Sequence, residues 1–198
     1  MQRGRKLVRL SRLYCFTLHP VLWKAVTTLL AFSGSLRADS FNTRLIHALG
    51  VLAPEGTTVI QFDISELPFY NQDLDAETVP EIVAALRAAI AEVDGVVIAT
   101  PEYNHSYSAV TKNLIDWASR PFMKGPIIGK RSMVIAAGPG PGGGVHALEA
   151  TSTLLQLLGG TVVAQVGVAG VHEKLHAESG VVTDDDLAQQ LRAGLAAF

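Results

Sequence analysis

What the chain has little of bounds it first. Of 198 residues one is cysteine, Cys15, so an intrachain disulfide is excluded and a reducing, cytoplasmic compartment is expected. Charged residues make up 17% against 48% hydrophobic, a balance suited to one soluble globular domain with a sizeable core. No apolar run is long enough to span a bilayer, so no membrane partner is expected. No acid appears before Asp39, whereas five of the 16 basic residues, Arg3, Arg5, Lys6, Arg9 and Arg12, lie in the first 12 positions. Residues 1–24 therefore read as a basic N-terminal extension, disordered or translated from an upstream start, ahead of a folded domain over 25–198. Past residue 22 the balance is 11 basic to 18 acidic residues, a net −7, which argues against a nucleic-acid-binding face.

What is there centres on Leu29–Asn42, LLAFSGSLRADSFN. An apolar run breaks into Ser33-Gly34-Ser35 and resumes helical spacing at Asn42, the pattern of a strand–loop–helix junction where backbone N–H groups and a helix N-terminus converge on an anion. Ser33, Ser35, Ser40 and Asn42 supply short donors, Gly34 admits a close backbone approach, and Arg37 offers a planar fork to a dianion. The plainer alternative is an ordinary βα turn in which Ser40 or Asn42 only caps the next helix. This turn carries neither the dinucleotide spacing G-x-G-x-x-G nor the Walker spacing G-x-x-x-x-G-K-[ST], so a terminal monophosphate fits it best.

From Ala25 onward apolar runs alternate with helical periods. Strands are expected at 26–32, 57–63, 94–100, 131–137 and 161–168, each rich in Val, Ile, Leu and Ala as a sheet buried on both faces requires. Helices are expected at 42–50, 79–92, 108–119, 146–158 and 184–197, the second opening on Thr78 and Glu81 at capping-box spacing. Five such βα units predict an α/β, doubly wound, five-stranded parallel sheet of order 2-1-3-4-5 with helices on both faces and a crevice at the carboxyl ends of strands 1 and 3. The loop after strand 3, Thr100–Ser108 (TPEYNHSYS), is the most polar and aromatic stretch. Its Tyr103 and Tyr107 faces and Asn104 amide suit a flat conjugated ring, although a rigid turn that merely covers the sheet end would use the same residues. After strand 4, Gly138–Gly144 (GPGPGGG) has five glycines in seven residues, either for close approach of a ligand or as a flexible connector.

Phe32-Ser33-Gly34-Ser35-Leu36-Arg37 with Ser40 and Asn42, then Asp94-Gly95-Val96-Val97 running into Pro101-Glu102-Tyr103-Asn104-His105-Ser106 and Lys112-Asn113-Leu114-Ile115-Asp116-Trp117, resemble the NADPH-dependent FMN reductase family. This is the flavodoxin-like group that includes quinone, chromate and azo-dye reductases. The resemblance covers residues 26–198 and implies that Ser35, Arg37, Ser40 and Asn42, with Ser33 beside them, hold the FMN phosphate. It further implies that Pro101, Glu102, Tyr103, Asn104 and Ser106 border the isoalloxazine, and that Gly142, Gly143 and Gly144 approach its other edge. The activity implied is hydride transfer from NADPH or NADH through flavin N5 to a quinone or similar small-molecule acceptor, in a ping-pong cycle within a homodimer or homotetramer, with no catalytic side chain and no metal ligand. The chain departs from the family in having Ser108 where proline is frequent, Thr111 where an apolar residue is frequent, and His146 and Ser152 where arginine is frequent.

Two other readings compete. A flavodoxin-type electron carrier shares fold and cofactor, but Arg37 and the Pro-Glu-Tyr-Asn loop favour the reductase. His172-Glu173-Lys174-Leu175-His176 matches H-E-x-x-H, the zinc-hydrolase pattern. That chemistry needs both imidazoles on one helical face, and Gly170 and Gly180 around the segment predict a loop instead.

Overall fold

A computed structural model describes residues 26–176 and 179–198; the basic extension expected over 1–24 lies outside the described residues. The chain runs β1 (Thr27–Ser33), α1 (Phe41–Leu52), β2 (Thr57–Gln61), α2 (Glu81–Glu92), β3 (Gly95–Thr100), β4 (Glu102–Tyr103), β5 (Ser106–Tyr107), α3 (Ala109–Ala118), β6 (Arg131–Ala137), α4 (Val145–Leu157), β7 (Thr161–Val168), α5 (Val171–Lys174) and α6 (Asp185–Ala196). A 3₁₀ turn, Gln72–Leu74, precedes α2.

Five strands form one parallel sheet in the order β2-β1-β3-β6-β7. This is the flavodoxin-like 2-1-3-4-5 order, because the hairpin β4–β5 forms a separate two-stranded sheet. The central strand β3 is buried along its whole length, as its unbroken apolar run requires. Side chains alternate between the two faces of the sheet. Leu29 and Ala31 of β1 pack with Leu45 and Leu49 of α1 and with Leu187, Leu191 and Leu195 of α6. Leu30 and Phe32 pack with Leu86 and Ile90 of α2, Leu114 of α3 and Leu155 of α4. Helices therefore cover both faces and leave the carboxyl ends of β1 and β3 side by side, in register from Leu29 opposite Gly95 to Ser33 opposite Ala99.

Several boundaries and caps differ from expectation. Helix α2 begins at Glu81 with Pro80 as its N-cap and no side-chain cap, so the capping box of Thr78 and Glu81 does not form. The ψ of 142° at Pro80 is extended, and a proline also biases the residue before it out of the helical region, which moves the helix start past Thr78. Strand β2 ends at Gln61 rather than 63. The hairpin and the short helix α5 were not expected. No helix among the described residues is long and apolar enough to cross a membrane.

Candidate functional site

The turn after β1 folds back on itself. Ser33 Oγ donates to Ser35 O (3.1 Å) and accepts from Ser35 N (3.3 Å), and it lies 2.8 Å from Thr43 Oγ1 in the first turn of α1. Ser40 is the α1 N-cap, its Oγ accepting from Thr43 N at 3.3 Å, so the capping role weighed for it is real. These bonds sort the donors. With the Ser33 proton on Ser35 O, the Thr43 hydroxyl donates to Ser33, so both protons are used within the turn. The Ser35 hydroxyl, the Ser40 proton, the Asn42 amide and the Arg37 guanidinium have no partner among the described residues, and they join the unpaired N–H groups of the α1 N-terminus.

Asn42 is 3% exposed, and its Oδ1 is one of two buried side-chain atoms left without a partner among the described residues. A buried orphan oxygen of this kind costs stability unless a donor satisfies it, so it is not itself a contact for an anion. Ser33, Ser35, Leu36, Arg37 and Thr43 line one wall of an open cleft of about 330 Å³, and Gln61 through Ser65, just after β2, line the other. The chain that continues from the far wall, 67–70, is held by the Lys-Asn-Leu-Ile-Asp-Trp segment of α3. Asn113 Oδ1 accepts from Tyr70 N (2.7 Å), its Nδ2 donates to Pro68 O (3.0 Å), and Trp117 Nε1 donates to the same carbonyl at 2.7 Å. Asp63 also faces this cleft. Its carboxyl is held below the ordinary value of 3.8 by the Ser65 backbone N–H, then by the Ser65 hydroxyl, against a small opposing effect of burial.

Gly34 has a different use from the one expected. A Cβ there would lie 2.1 Å from Thr111 Oγ1, so the close approach is to α3, not to a ligand. Gly34 N donates to Ala99 O (2.7 Å) and Gly34 O accepts from Ser108 Oγ (2.6 Å). Thr111 Oγ1 in turn donates to Thr100 Oγ1 (2.9 Å), and Thr100 Oγ1 donates to Pro101 O (3.1 Å). The loops after β1 and β3 are thus clipped together by buried hydroxyls, two of them at positions where the sequence departs from the family pattern.

Beyond the clip the loop after β3 is the β4–β5 hairpin. Pro101 is buried, Tyr103 is exposed, and Ser106 and Tyr107 are half-buried. Asn104 and His105 form the turn with φ of 51° and 59°, the left-handed pair of a tight hairpin. The hairpin does not line the anion cleft; it turns toward α4. Glu102 Oε2 accepts from His146 N (2.9 Å) and Ala147 N (3.2 Å), while Oε1 meets His146 Nδ1 at 3.2 Å. Burial acts to raise the Glu102 carboxyl, but hydrogen bonds from the His146 ring and from the Ala147 and His146 N–H groups together hold it below its ordinary value. This carboxylate caps α4. In the glycine loop, Gly142 faces open space, whereas Gly143 (φ 57°) abuts Ala169 N and Gly144 (φ 76°) abuts Ala136 Cβ, each at 2.8 Å from a built Cβ. Those two glycines serve backbone conformation and internal packing.

At the H-E-x-x-H segment, α5 ends at Lys174, Leu175 bridges to Val182, and His176 Nδ1 meets Ser179 Oγ at 3.0 Å. The helical face that would present both imidazoles is not formed. The sequence reading missed Thr43, the 61–65 wall and the joint position of His105 with His146; Thr43, at the α1 cap spacing from Ser40, was the one of these with a local signal.

The family described as NADPH-dependent FMN reductase matches residues 27–174. A 2-hydroxy-1,4-benzoquinone reductase from Burkholderia sp is 47% identical over 107 residues, 54% of this chain and 58% of that one, so the match spans less than two thirds of that relative's own length. A quinone reductase of Escherichia coli (strain K12) is 34% identical over 177 residues, 87% of this chain and 92% of that one. Among solved structures, the flavoenzyme NAD(P)H:(acceptor) oxidoreductase FerB from Paracoccus denitrificans superposes with a TM-score of 0.74 at 36% identity, covering 87% of this chain and 94% of that one.

Proposed function

The chain belongs to the NADPH-dependent FMN reductase family, and on that premise we propose that it is an FMN-dependent NAD(P)H oxidoreductase that reduces a quinone or similar small acceptor. The observation that carries this is the donor set at the β1–α1 turn. Ser35 and Arg37 line a cleft otherwise short of positive charge, and the N-terminus of α1, capped by Ser40, adjoins them, which suits a phosphate monoester. FMN held there would supply the redox chemistry, hydride transfer from NADPH or NADH through N5 and two electrons to the acceptor in a ping-pong cycle.

The protein's part is binding and orientation. Arg37 neutralises the phosphate, Ser33 and Thr43 hold the turn in shape, and the Ser108–Gly34 bond fixes that turn against the hairpin whose Tyr103, Asn104 and Ser106 border the ring system. No side chain is assigned as a general base. A homodimer or homotetramer is part of the proposal, as the family resemblance implies; Phe69, Phe122 and Leu157 are each at least 74% exposed. Sedimentation giving a monomer at assay concentrations would remove that part.

The test of the reaction is stopped-flow mixing of the FMN-loaded protein with NADPH or NADH, followed by a quinone. Bleaching of the flavin absorbance faster than reduction of free FMN, then recovery on quinone addition, supports the reductase. If neither nucleotide bleaches it faster, the electron-carrier reading replaces it.

A further inference from the structure

Beside the flavin cleft, at the outer end of the hairpin, three side chains converge without a partner that can satisfy them all. Glu102 Oε1 lies 3.2 Å from His146 Nδ1 and 3.8 Å from His105 Nδ1, and the two Nδ1 atoms lie 3.3 Å apart with the rings at 90°. Glu102 Oε1 can only accept. If the His146 proton goes to it, His146 Nδ1 has no lone pair left for His105. If His105 keeps its Nδ1 proton for His146, then Glu102 Oε1 faces a bare nitrogen lone pair. One His146 Nδ1 proton would have to be shared between the Glu102 oxygen and the His105 nitrogen, whereas a cation would accept all three lone pairs at once.

The spacing agrees with that chemistry. Three corners of a tetrahedron with bonds of about 2.0–2.1 Å to nitrogen and oxygen are about 3.3 Å apart; two of the three edges here are 3.2 and 3.3 Å, and the third is 3.8 Å. His105 belongs to an exposed turn, its side chain 79% exposed, so it is the ligand free to close the longer edge. The other two are already aimed: Glu102 Oε2 is fixed by two backbone N–H groups of α4, the kind of outer contact that orients a metal-binding carboxylate. The hairpin adds a further indication, since the second residue of its left-handed turn is His105 (φ 59°) where glycine would be unstrained.

We propose that Glu102, His105 and His146 form a binding site for a divalent transition metal, Zn²⁺ by ligand type and geometry, with the fourth position open to the groove between the hairpin and α4. Two imidazoles and one carboxylate suit Zn²⁺ over Mg²⁺ or Ca²⁺, which favour oxygen ligands. The site uses Glu102, which the family resemblance sets along the isoalloxazine, so metal binding is read both with and without FMN.

The experiment titrates full-length protein, with and without FMN, with Co²⁺ as a spectroscopic stand-in and then displaces it with Zn²⁺. One Co²⁺ per chain with intense tetrahedral ligand-field bands, competed by Zn²⁺, is expected. In the His105→Ala/His146→Ala variant the affinity should fall by more than about 100-fold, since loss of outer-shell partners alone reaches that scale. Both substitutions leave the backbone donors that Glu102 caps, and His105→Ala alone alters only a turn residue, so that single variant, expected to lose tetrahedral bands, stands in should the double one misfold. The His172→Ala/His176→Ala variant should bind as the parent does. No saturable Co²⁺ binding, unchanged binding in the first variants, or loss confined to the last would overturn the proposal.

Discussion

Ser108 Oγ donates a 2.6 Å hydrogen bond to the carbonyl of Gly34, 74 positions earlier in the chain. The same oxygen accepts from Thr111 N as the N-cap of α3, so one hydroxyl starts the helix after the β4–β5 hairpin and ties that loop to the β1–α1 turn. Ser108→Ala should cost about 1.5–5 kcal/mol of stability, the sum of a lost cap and a buried carbonyl left unpaired. Urea unfolding measures it. FMN affinity should fall as well, and a loss of stability with unchanged FMN binding would mean that the clip does not position the turn.

Gly34→Ala should destabilise by about 1–3 kcal/mol through overpacking, because its Cβ would fall 2.1 Å from Thr111 Oγ1. Adding Thr111→Ala should recover part of that loss. A double-mutant cycle with no coupling would place the strain elsewhere.

The parallel core was legible because each central strand is an apolar run with nothing else to do: β3 is Gly-Val-Val-Ile-Ala-Thr and is buried throughout. The strand–loop–helix junction after β1 was legible because an apolar run, a small-residue turn and a capping serine follow one another in sequence. The hairpin was not, since strands of two residues leave no alternation to read and its Asn104-His105 turn lacks the glycine that signals such turns. Nor were the use of Gly34 and the capping role of Glu102, which reside in the pairing of Gly34 with Thr111 and of Glu102 with His146, residues 77 and 44 positions apart. Such contacts exist only once the sheet has brought the loops together. The His172-Glu173-Lys174-Leu175-His176 string illustrates the converse, a local pattern whose helix stops at Lys174.

Arg37→Ala should weaken FMN binding by about 1.5–3 kcal/mol, the scale of a hydrogen bond to a charged group, and should leave riboflavin nearly unaffected. Fluorescence titration of the apoprotein with both ligands measures the difference. Equal losses would put Arg37 away from the phosphate.

Deleting residues 1–24 should leave folding and flavin content intact, because the sheet starts at Thr27 and its partner positions on β2 begin at Thr57. A large drop in the thermal midpoint of the shortened chain would show that the extension packs on the domain.

Asp63 faces the same cleft as Arg37 and accepts from Ser65 N at 2.9 Å, and this bond sets two opposed effects. Its folded-state pKa lies below the ordinary 3.8, so the unfolded chain binds the proton more readily. The carboxylate therefore adds stability above pH 3.8 that is lost as pH falls through the lowered value. The stability gap between the parent and Asp63→Asn should close over that acid range, as denaturant midpoints taken along a pH series will show. Toward FMN the sign reverses, because at neutral pH the carboxylate repels a phosphate across the cleft. Unit charges several Å apart in water interact by ~0.5 kcal/mol, so Asp63→Asn should tighten FMN about twofold at low salt, less at high salt, and leave riboflavin unchanged. A riboflavin gain equal to the FMN gain would mean that Asp63 acts on the shape of the 61–65 wall and not through its charge.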